Sequence, residues 1–251
     1  MFLLKNTRTL LIYGLAGDLV APLAPIGVDY MTTQAAWLKS QGAEVSVVDL
    51  PTATAVTTNA ARIAETLLSD PRPALLIAHS KGGLETLAAL LLPNTATHSL
   101  AFLAIQSPFL GSPVADAIMA TTQGQTAVDL LARALRRGTN AGVRDLTTPV
   151  RTTWMRTHTA EIETLTATIP VICCASTLDD TAIGPDRRYL PLARWMQRKG
   201  AGPNDGLVPV ASALLQGARH VLLQGSHRGL TSKGKGRDPI AVLTTMLNEI
   251  P

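Results

Sequence analysis

The alternation of short apolar runs with longer helical stretches constrains the fold of this chain more than any other feature. Six aliphatic or β-branched runs lie at Thr9–Tyr13, Glu44–Val48, Ala74–Ala78, Leu100–Ile105, Val171–Ala175 and His220–Leu223. Helical periodicity is seen between them at Tyr30–Ser40, Thr57–Leu68 and Gly82–Leu92. Apolar strands that alternate with helices are typical of a mostly parallel sheet covered on both faces. The sequence therefore predicts an α/β fold.

Length, charge and the N-terminal segment narrow the class of protein. A chain of 251 residues with 46% hydrophobic residues is large enough for a single domain over residues 1–251. The net charge of +4 comes from scattered basic pairs, so no nucleic-acid partner is expected. No apolar segment approaches the roughly 20 residues that span a bilayer, so no transmembrane segment is expected. The start lacks a signal-peptide pattern, which predicts a cytoplasmic location, although a leader already removed would leave no trace.

The two cysteines, Cys173 and Cys174, are adjacent within an apolar run. Neighbouring residues of a strand point to opposite faces of the sheet, so a disulfide between them would be strained. We expect two buried free thiols. They permit a reducing compartment without requiring one.

The span from about 112 to 169 contains no convincing strand and is expected to be a helical insertion. Within it, Gln125–Arg137 places apolar residues on one side and arginines elsewhere, which predicts an amphipathic helix. Two interpretations stay open: a helix packed on the core, or part of a cap or lid over an apolar pocket.

One serine stands between an apolar strand and a helix, in Leu75-Leu-Ile-Ala-His-Ser-Lys-Gly-Gly83. A strand that turns at once into a helix needs small residues two positions before and after the turn, as Ala78 and Gly82 are here. Such a turn exposes the hydroxyl of Ser80 at the carboxyl end of the sheet and makes it a candidate nucleophile. The adjacent His79 is expected to be structural, because neighbouring side chains in the turn point apart.

A nucleophilic serine that attacks an acyl group needs two backbone N–H donors for the oxyanion that forms. The first strand ends in Tyr13-Gly-Leu-Ala-Gly17, near the expected position of Ser80. We predict that Leu15 and Lys81 supply these N–H groups. A phosphate-binding loop is disfavoured, because neither G-x-G-x-x-G nor a Gly-Lys-Ser/Thr ending is present.

The serine also needs a base and an acid. Of five histidines only His227 follows an apolar strand, in the chain order serine, acid, histidine that is expected for a nucleophile turn in an α/β fold. Four aspartates compete for the acid: Asp179, Asp180, Asp186 and Asp205. Asp179 and Asp180 follow the fifth strand most directly, whereas Asp205 lies in a tight turn that can hold a carboxylate rigidly.

Three motifs together resemble the bacterial triacylglycerol lipases and esterases of the α/β-hydrolase superfamily. They are Ala78-His-Ser-Lys-Gly-Gly83, Ser107-Pro-Phe-Leu-Gly-Ser-Pro-Val-Ala-Asp116 and Asn204-Asp-Gly-Leu-Val-Pro-Val210. The resemblance implies an α/β-hydrolase fold with Asp205 as the acid and His227 as the base. The segment Tyr13-Gly-Leu15 is similar to the family's His-Gly-Leu oxyanion loop, with tyrosine replacing histidine. Many secreted members hold calcium through an aspartate just after the catalytic histidine, but Arg228 and Gly229 stand there, so no metal is expected.

These residues predict a serine hydrolase that cleaves carboxylic esters through an acyl-enzyme. The expected partner is a small-molecule or lipid ester with an apolar acyl group, and no metal or organic cofactor is implied. An acyltransferase or haloperoxidase-like use of the same residues stays open. A non-catalytic binding protein is a further alternative, although such proteins commonly lose one of these groups.

Overall fold

The computed structural model of the protein describes residues 4–15, 29–126 and 140–251. Its strands are β1 (Arg8–Ile12), β2 (Glu44–Val47), β3 (Ala74–His79), β4 (Ser99–Ile105), β5 (Val171–Thr177) and β6 (Arg219–Gln224). They form one six-stranded sheet in the order β2-β1-β3-β4-β5-β6. Every neighbouring pair is parallel. The predicted parallel sheet is confirmed, and each predicted run overlaps an observed strand.

The helices connect successive strands. Those fully within the described residues are α1 (Thr32–Ser40), α2 (Val56–Leu68), α3 (Lys81–Leu90), α4 (Pro113–Met119), α5 (Ala141–Arg144), α6 (Thr148–Thr157), α7 (Thr159–Thr168), α8 (Leu190–Arg198) and α9 (Pro239–Asn248). Short 3-10 turns lie at Ala96–His98, Gly184–Tyr189 and Val210–Ser212. No helix in the described part of the chain is both long and apolar enough to cross a membrane.

The helices cover both faces of the sheet, as expected for strands that are apolar on both sides. Leu10 and Leu76 belong to a core that also contains residues of α2 and α3. Leu11 and Leu75, one position away on the same strands, pack in a second core with residues of α1 and α9. Because side chains alternate along a strand, β1, β3, β4 and β5 each contribute to two separate cores.

The adjacent cysteines follow the same alternation. Cys173 lies in the core that contains α2 and α3, and Cys174 lies in the core on the other face. Both are buried free thiols, as predicted. Burial raises the pKa of each thiol to about 12.

The span from 112 to 169 is helical wherever it is described. It contains α4 to α7, and no strand lies in its described residues. The predicted amphipathic helix at Gln125–Arg137 falls mainly on residues 127–139, outside the described residues. The assignment of this span as a cap or lid therefore stays a prediction.

The parallel arrangement gathers three chain segments at the carboxyl edge of the sheet. Gly14 follows β1, Ser80 follows β3 and His227 follows β6 within three residues. A fourth segment is attached by a backbone hydrogen bond, in which the Leu178 N–H after β5 donates to the Asn204 carbonyl at 2.8 Å. Residues far apart in sequence thus meet at one edge, where open α/β sheets bind ligands.

Candidate active site

Ser80 occupies a strained turn between β3 and α3. Its φ of 55° and ψ of −127° lie outside the ordinary regions for a residue with a side chain. A backbone of this kind costs about 1–3 kcal/mol and persists only where the surroundings enforce it. The Ser80 N–H donates to the Ile105 carbonyl at 2.9 Å, which fixes the turn against the end of β4. The predicted elbow is present.

The glycines around the turn are required by close approach of neighbouring chain. A Cβ on Gly82 would lie 2.5 Å from the Tyr13 carbonyl oxygen, and a Cβ on Gly83 would lie 1.9 Å from the Ser107 hydroxyl oxygen. A Cβ on Gly14 would lie 2.8 Å from the Ser80 Cβ. Because Gly14 and Gly82 carry no side chain, the loop after β1 can lie directly against the serine. Gly83 leaves room for the Ser107 side chain.

Ser80, His227 and Asp205 form one hydrogen-bonded series. Ser80 Oγ lies 2.9 Å from His227 Nε2, and His227 Nδ1 lies 2.8 Å from Asp205 Oδ2. A carboxylate oxygen accepts, so Nδ1 carries the proton and Nε2 is left to accept the serine proton. The three residues that sequence reasoning singled out are therefore brought together, and all are buried.

A rigid turn holds Asp205 in place. Its Oδ1 accepts from the Leu207 N–H at 2.8 Å and from the Val208 N–H at 2.7 Å, leaving Oδ2 for His227. The Asp205 carbonyl also accepts from the His227 N–H at 2.9 Å. Gly206, with φ of 96°, supplies the left-handed conformation that closes the turn. Both the side chain and the main chain of Asp205 thus fix the histidine.

The competing aspartates have other partners. Exposed Asp179 accepts from the Thr181 N–H at 2.9 Å, and exposed Asp180 pairs with Arg194 at 2.6 Å. Asp186 is buried, but it accepts from the Ser226 hydroxyl at 2.8 Å and pairs with Arg237. Asp186 therefore anchors the residue before His227 and does not contact the imidazole.

Three of the other histidines contact backbone carbonyls. His98 lies 2.9 Å from the Asn94 oxygen, His158 lies 2.8 Å from the Trp154 oxygen, and His220 lies 2.8 Å from the Leu215 oxygen. None of these contacts joins a serine to an acid.

His79, next to Ser80, links two parts of the site. Its Nε2 donates to the His227 carbonyl at 2.9 Å, and its Nδ1 accepts from the Tyr30 hydroxyl at 2.7 Å. The Tyr30 oxygen in turn accepts from the Gly14 N–H at 2.8 Å. Burial lowers the pKa of His79 to about 3, and the adjacent His227 acts in the same direction. His79 is therefore a neutral structural residue, as expected, but the tyrosine that completes this link was missed by sequence reasoning.

The roles of Leu15 and Lys81 as oxyanion donors stay predictions. Leu15 lines the same pocket as Ser80 and follows Gly14, whose N–H is already bonded to Tyr30. Lys81 begins α3, where the first N–H groups have no acceptor within the helix. The Lys81 side chain is fully buried in an ion pair with Glu85, so it contributes only its backbone here. Burial raises the pKa of Glu85, and the Lys81 ammonium opposes that rise.

A pocket of about 340 Å³ opens beside the serine and the histidine. One side of it is apolar and includes Val114, Ala115, Ile118, Val143, Leu146 and Leu207. Most of these residues belong to α4, α5 and the loop that follows. Tyr30, Tyr189 and Arg228 also line it, and no motif in the sequence marks Tyr30 or Tyr189 as pocket residues.

The described residues contain no group of three or more His, Cys, Asp or Glu side chains arranged to hold a metal ion.

Comparison with known proteins supports the architecture. No protein-family model and no curated protein sequence matches this chain. A metagenomic carboxyl esterase of known structure superposes with a TM-score of 0.74 at 19% identity, covering 98% of this chain and 75% of the other. The mature form of a Bacillus licheniformis lipase gives a TM-score of 0.74 at 21% identity, covering 97% and 92%. The chain has the α/β-hydrolase fold.

A third structure with this fold is a phospholipase from Legionella pneumophila. It superposes with a TM-score of 0.61 at 14% identity and covers 97% of this chain and 60% of the other. At sequence identities this low, the superpositions establish only the α/β-hydrolase architecture, and the chemistry must be argued from the site itself.

Proposed function

We propose that this protein is a serine hydrolase that cleaves carboxylic esters with an apolar acyl group. The observation that carries the proposal is the series Ser80, His227, Asp205, with contacts of 2.9 and 2.8 Å, at the edge of an apolar pocket. A serine hydroxyl is a weak nucleophile until a base removes its proton, and this geometry provides that base.

The reaction begins when the Ser80 oxygen attacks the ester carbonyl carbon while its proton moves to His227 Nε2. The carbonyl electrons move to oxygen, and the N–H groups of Leu15 and Lys81 stabilise the resulting oxyanion. Collapse of this intermediate breaks the bond to the alcohol oxygen, which takes the proton from His227. An acyl-enzyme on Ser80 remains.

Hydrolysis of the acyl-enzyme reverses these roles. His227 removes a proton from water, the water oxygen attacks the acyl carbon, and the proton returns to the Ser80 oxygen as the acid leaves. Asp205 keeps the proton of the neutral imidazole on Nδ1 and stabilises the imidazolium in both halves of the cycle. His79 cannot replace His227, since both of its nitrogens are engaged away from the serine.

The pocket argues for an apolar acyl group. Ligand sites of this size are mostly apolar with a few placed polar groups, and the side formed by α4 and α5 has that character. We assign the span from 112 to 169 as a cap that supplies this wall within a single domain. An ester substrate also agrees with the two structures that superpose with a TM-score of 0.74, since one is named a carboxyl esterase and the other a lipase.

A fluorophosphonate probe tests the nucleophile. We expect one label per chain on Ser80, and we expect Ser80→Ala to abolish both labelling and hydrolysis of 4-nitrophenyl esters. Ser40→Ala, at an exposed helix end, is the matched control and keeps both. A wild-type protein that is neither labelled by the probe nor active on 4-nitrophenyl esters of any chain length would refute the proposal.

The same esters separate hydrolysis from transfer. With 4-nitrophenyl esters of increasing chain length, release of free acid and release of nitrophenol should match in the presence of added alcohol. Formation of a new ester in place of the acid would identify the protein as an acyltransferase that uses the same residues.

A further inference from the structure

Arg228 places a positive charge in the wall of the pocket. It directly follows His227 and lines the same cavity as Ser80. The other residues lining the cavity, apart from His227 itself, are apolar or neutral. A half-buried guanidinium in such surroundings is costly unless something compensates it.

The part of the chain that the structure describes compensates this charge only in part. Arg228 Nη2 donates to the Asp29 carbonyl at 3.1 Å, and its guanidinium carbon lies 5.5 Å from the centre of the Tyr30 ring. Within residues 4–15, 29–126 and 140–251, Arg228 forms no ion pair with a carboxylate. The Asp29 carboxylate is bonded elsewhere, to the Thr33 N–H at 3.1 Å and the Lys233 N–H at 2.6 Å.

Arg237 shows what a structural arginine looks like on the same loop. Its side chain is largely covered and pairs with the buried Asp186. Arg228 instead donates one of its five N–H groups to a neutral carbonyl, and none of the others is bonded to a carboxylate of the described residues. Arg228 thus brings its positive charge to the border of the space that a substrate would fill.

We infer that Arg228 binds an oxyanionic group of the substrate, a carboxylate or a phosphate, so that the ester cleaved is an anionic amphiphile. The apolar wall formed by α4 and α5 takes the hydrocarbon part, and the guanidinium takes the anion. A planar guanidinium binds such groups through two parallel N–H bonds, and a pocket poor in water strengthens the pairing. This inference rests on the proposed ester hydrolysis and specifies its substrate class.

Matched neutral and anionic esters test this. On the acyl side the pair is 4-nitrophenyl pentanoate and mono-4-nitrophenyl glutarate. On the alcohol side, phenyl butanoate is compared with its ring-carboxylate and ring-phosphate analogues. The quantity measured is the ratio of kcat/KM for the anionic ester to that for its neutral partner, in wild type, Arg228→Gln, Arg228→Lys and the surface control Arg198→Gln.

For the acyl-side pair, the alcohol-side pair or both, we expect the anionic-to-neutral ratio of kcat/KM to fall about 10-fold or more in Arg228→Gln. This is the size expected for a lost charge-assisted hydrogen bond. The loss should be carried by KM, because the anion does not take part in bond cleavage. Arg228→Lys should keep part of the ratio, and Arg198→Gln all of it. Added NaCl should lower the wild-type ratio more than that of Arg228→Gln.

An unchanged ratio in Arg228→Gln, or an equal loss on neutral and anionic esters, overturns the inference. If wild type hydrolyses neither the neutral nor the anionic esters, the proposed function itself fails, and the two failures are thereby distinguished. If Arg228→Gln does not fold, wild type is assayed with hexyl phosphate and hexanol as inhibitors of neutral-ester hydrolysis. Equal inhibition by the two would also overturn the inference.

Discussion

Replacement of Tyr30 by phenylalanine removes one oxygen atom that joins two parts of the site. That oxygen accepts from the Gly14 N–H at 2.8 Å and donates to His79 Nδ1 at 2.7 Å. Tyr30 is 4% exposed, so bulk water does not replace either bond directly. The substitution leaves the ring in place and isolates the effect of the hydroxyl.

The magnitude follows from the groups left behind. An unpaired buried donor or acceptor costs about 1–3 kcal/mol, so the two together lower the free energy of unfolding by about 2–6 kcal/mol. Activity falls as well, because Gly14 precedes the proposed oxyanion donor Leu15. A displacement of this donor by about 1 Å costs on the order of 100-fold in kcat, with KM little changed.

Urea unfolding followed by far-UV circular dichroism measures the first effect, and steady-state hydrolysis of a 4-nitrophenyl ester measures the second. Tyr13→Phe is the control for stability, because the Tyr13 hydroxyl makes no hydrogen bond to a described residue although its ring lies 5.2 Å from that of Tyr30. If Tyr30→Phe changed the free energy of unfolding no more than Tyr13→Phe does, the argument that this hydroxyl connects the two loops would be wrong.

Three further changes test the site. Asp205→Asn should lower kcat by about 10⁴-fold because the imidazole loses its tautomer, whereas Asp179→Asn should not; comparable losses in both would contradict the assignment of the acid. Gly83→Ala, normally stabilising by about 1 kcal/mol in a helix, should here destabilise by about 1–3 kcal/mol in urea unfolding, since its Cβ would lie 1.9 Å from a hydroxyl oxygen. The pKa of His79, about 3, is depressed by burial below its unfolded value, so stability is complete above about pH 6.5 and is lost as the pH falls toward 3. His79→Gln should flatten this loss, and His98→Gln, at a half-buried histidine far from the site, should not. Equal slopes of the free energy of unfolding against pH in the two variants, from pH 7 to pH 4, would count against the prediction.

The strands could be predicted from the sequence because each is an apolar run bounded by polar or glycine-rich segments. β3, Ala74–His79, is buried along its whole length, as its continuous apolar run predicts. The order of the strands was not predicted, because pairing depends on which helices cross which face. The insertion was predicted only as helical, since an amphipathic pattern does not say what its apolar side covers.

The strained turn at Ser80 could be predicted because it restricts residue types in its immediate neighbourhood. The acid could not be chosen by position, since Asp179 and Asp180 follow β5 more directly than Asp205 does. The structure shows why Asp205 and not these two contacts His227: the Leu178 N–H bond to the Asn204 carbonyl brings the later turn to the end of β5. Tyr30 could not be found at all, because its contacts with Gly14 and His79 are visible only in three dimensions.

The adjacent cysteines give each side of the sheet its own reporter of opening. Cys173 is covered by the layer that contains α2 and α3, and Cys174 by the layer that contains α1 and α9. Because burial raises both pKa values to about 12, a thiol reagent modifies neither until its covering layer separates from the sheet. Tandem mass spectra distinguish alkylation at the two positions, so one time course in mild denaturant tells which helical layer detaches first.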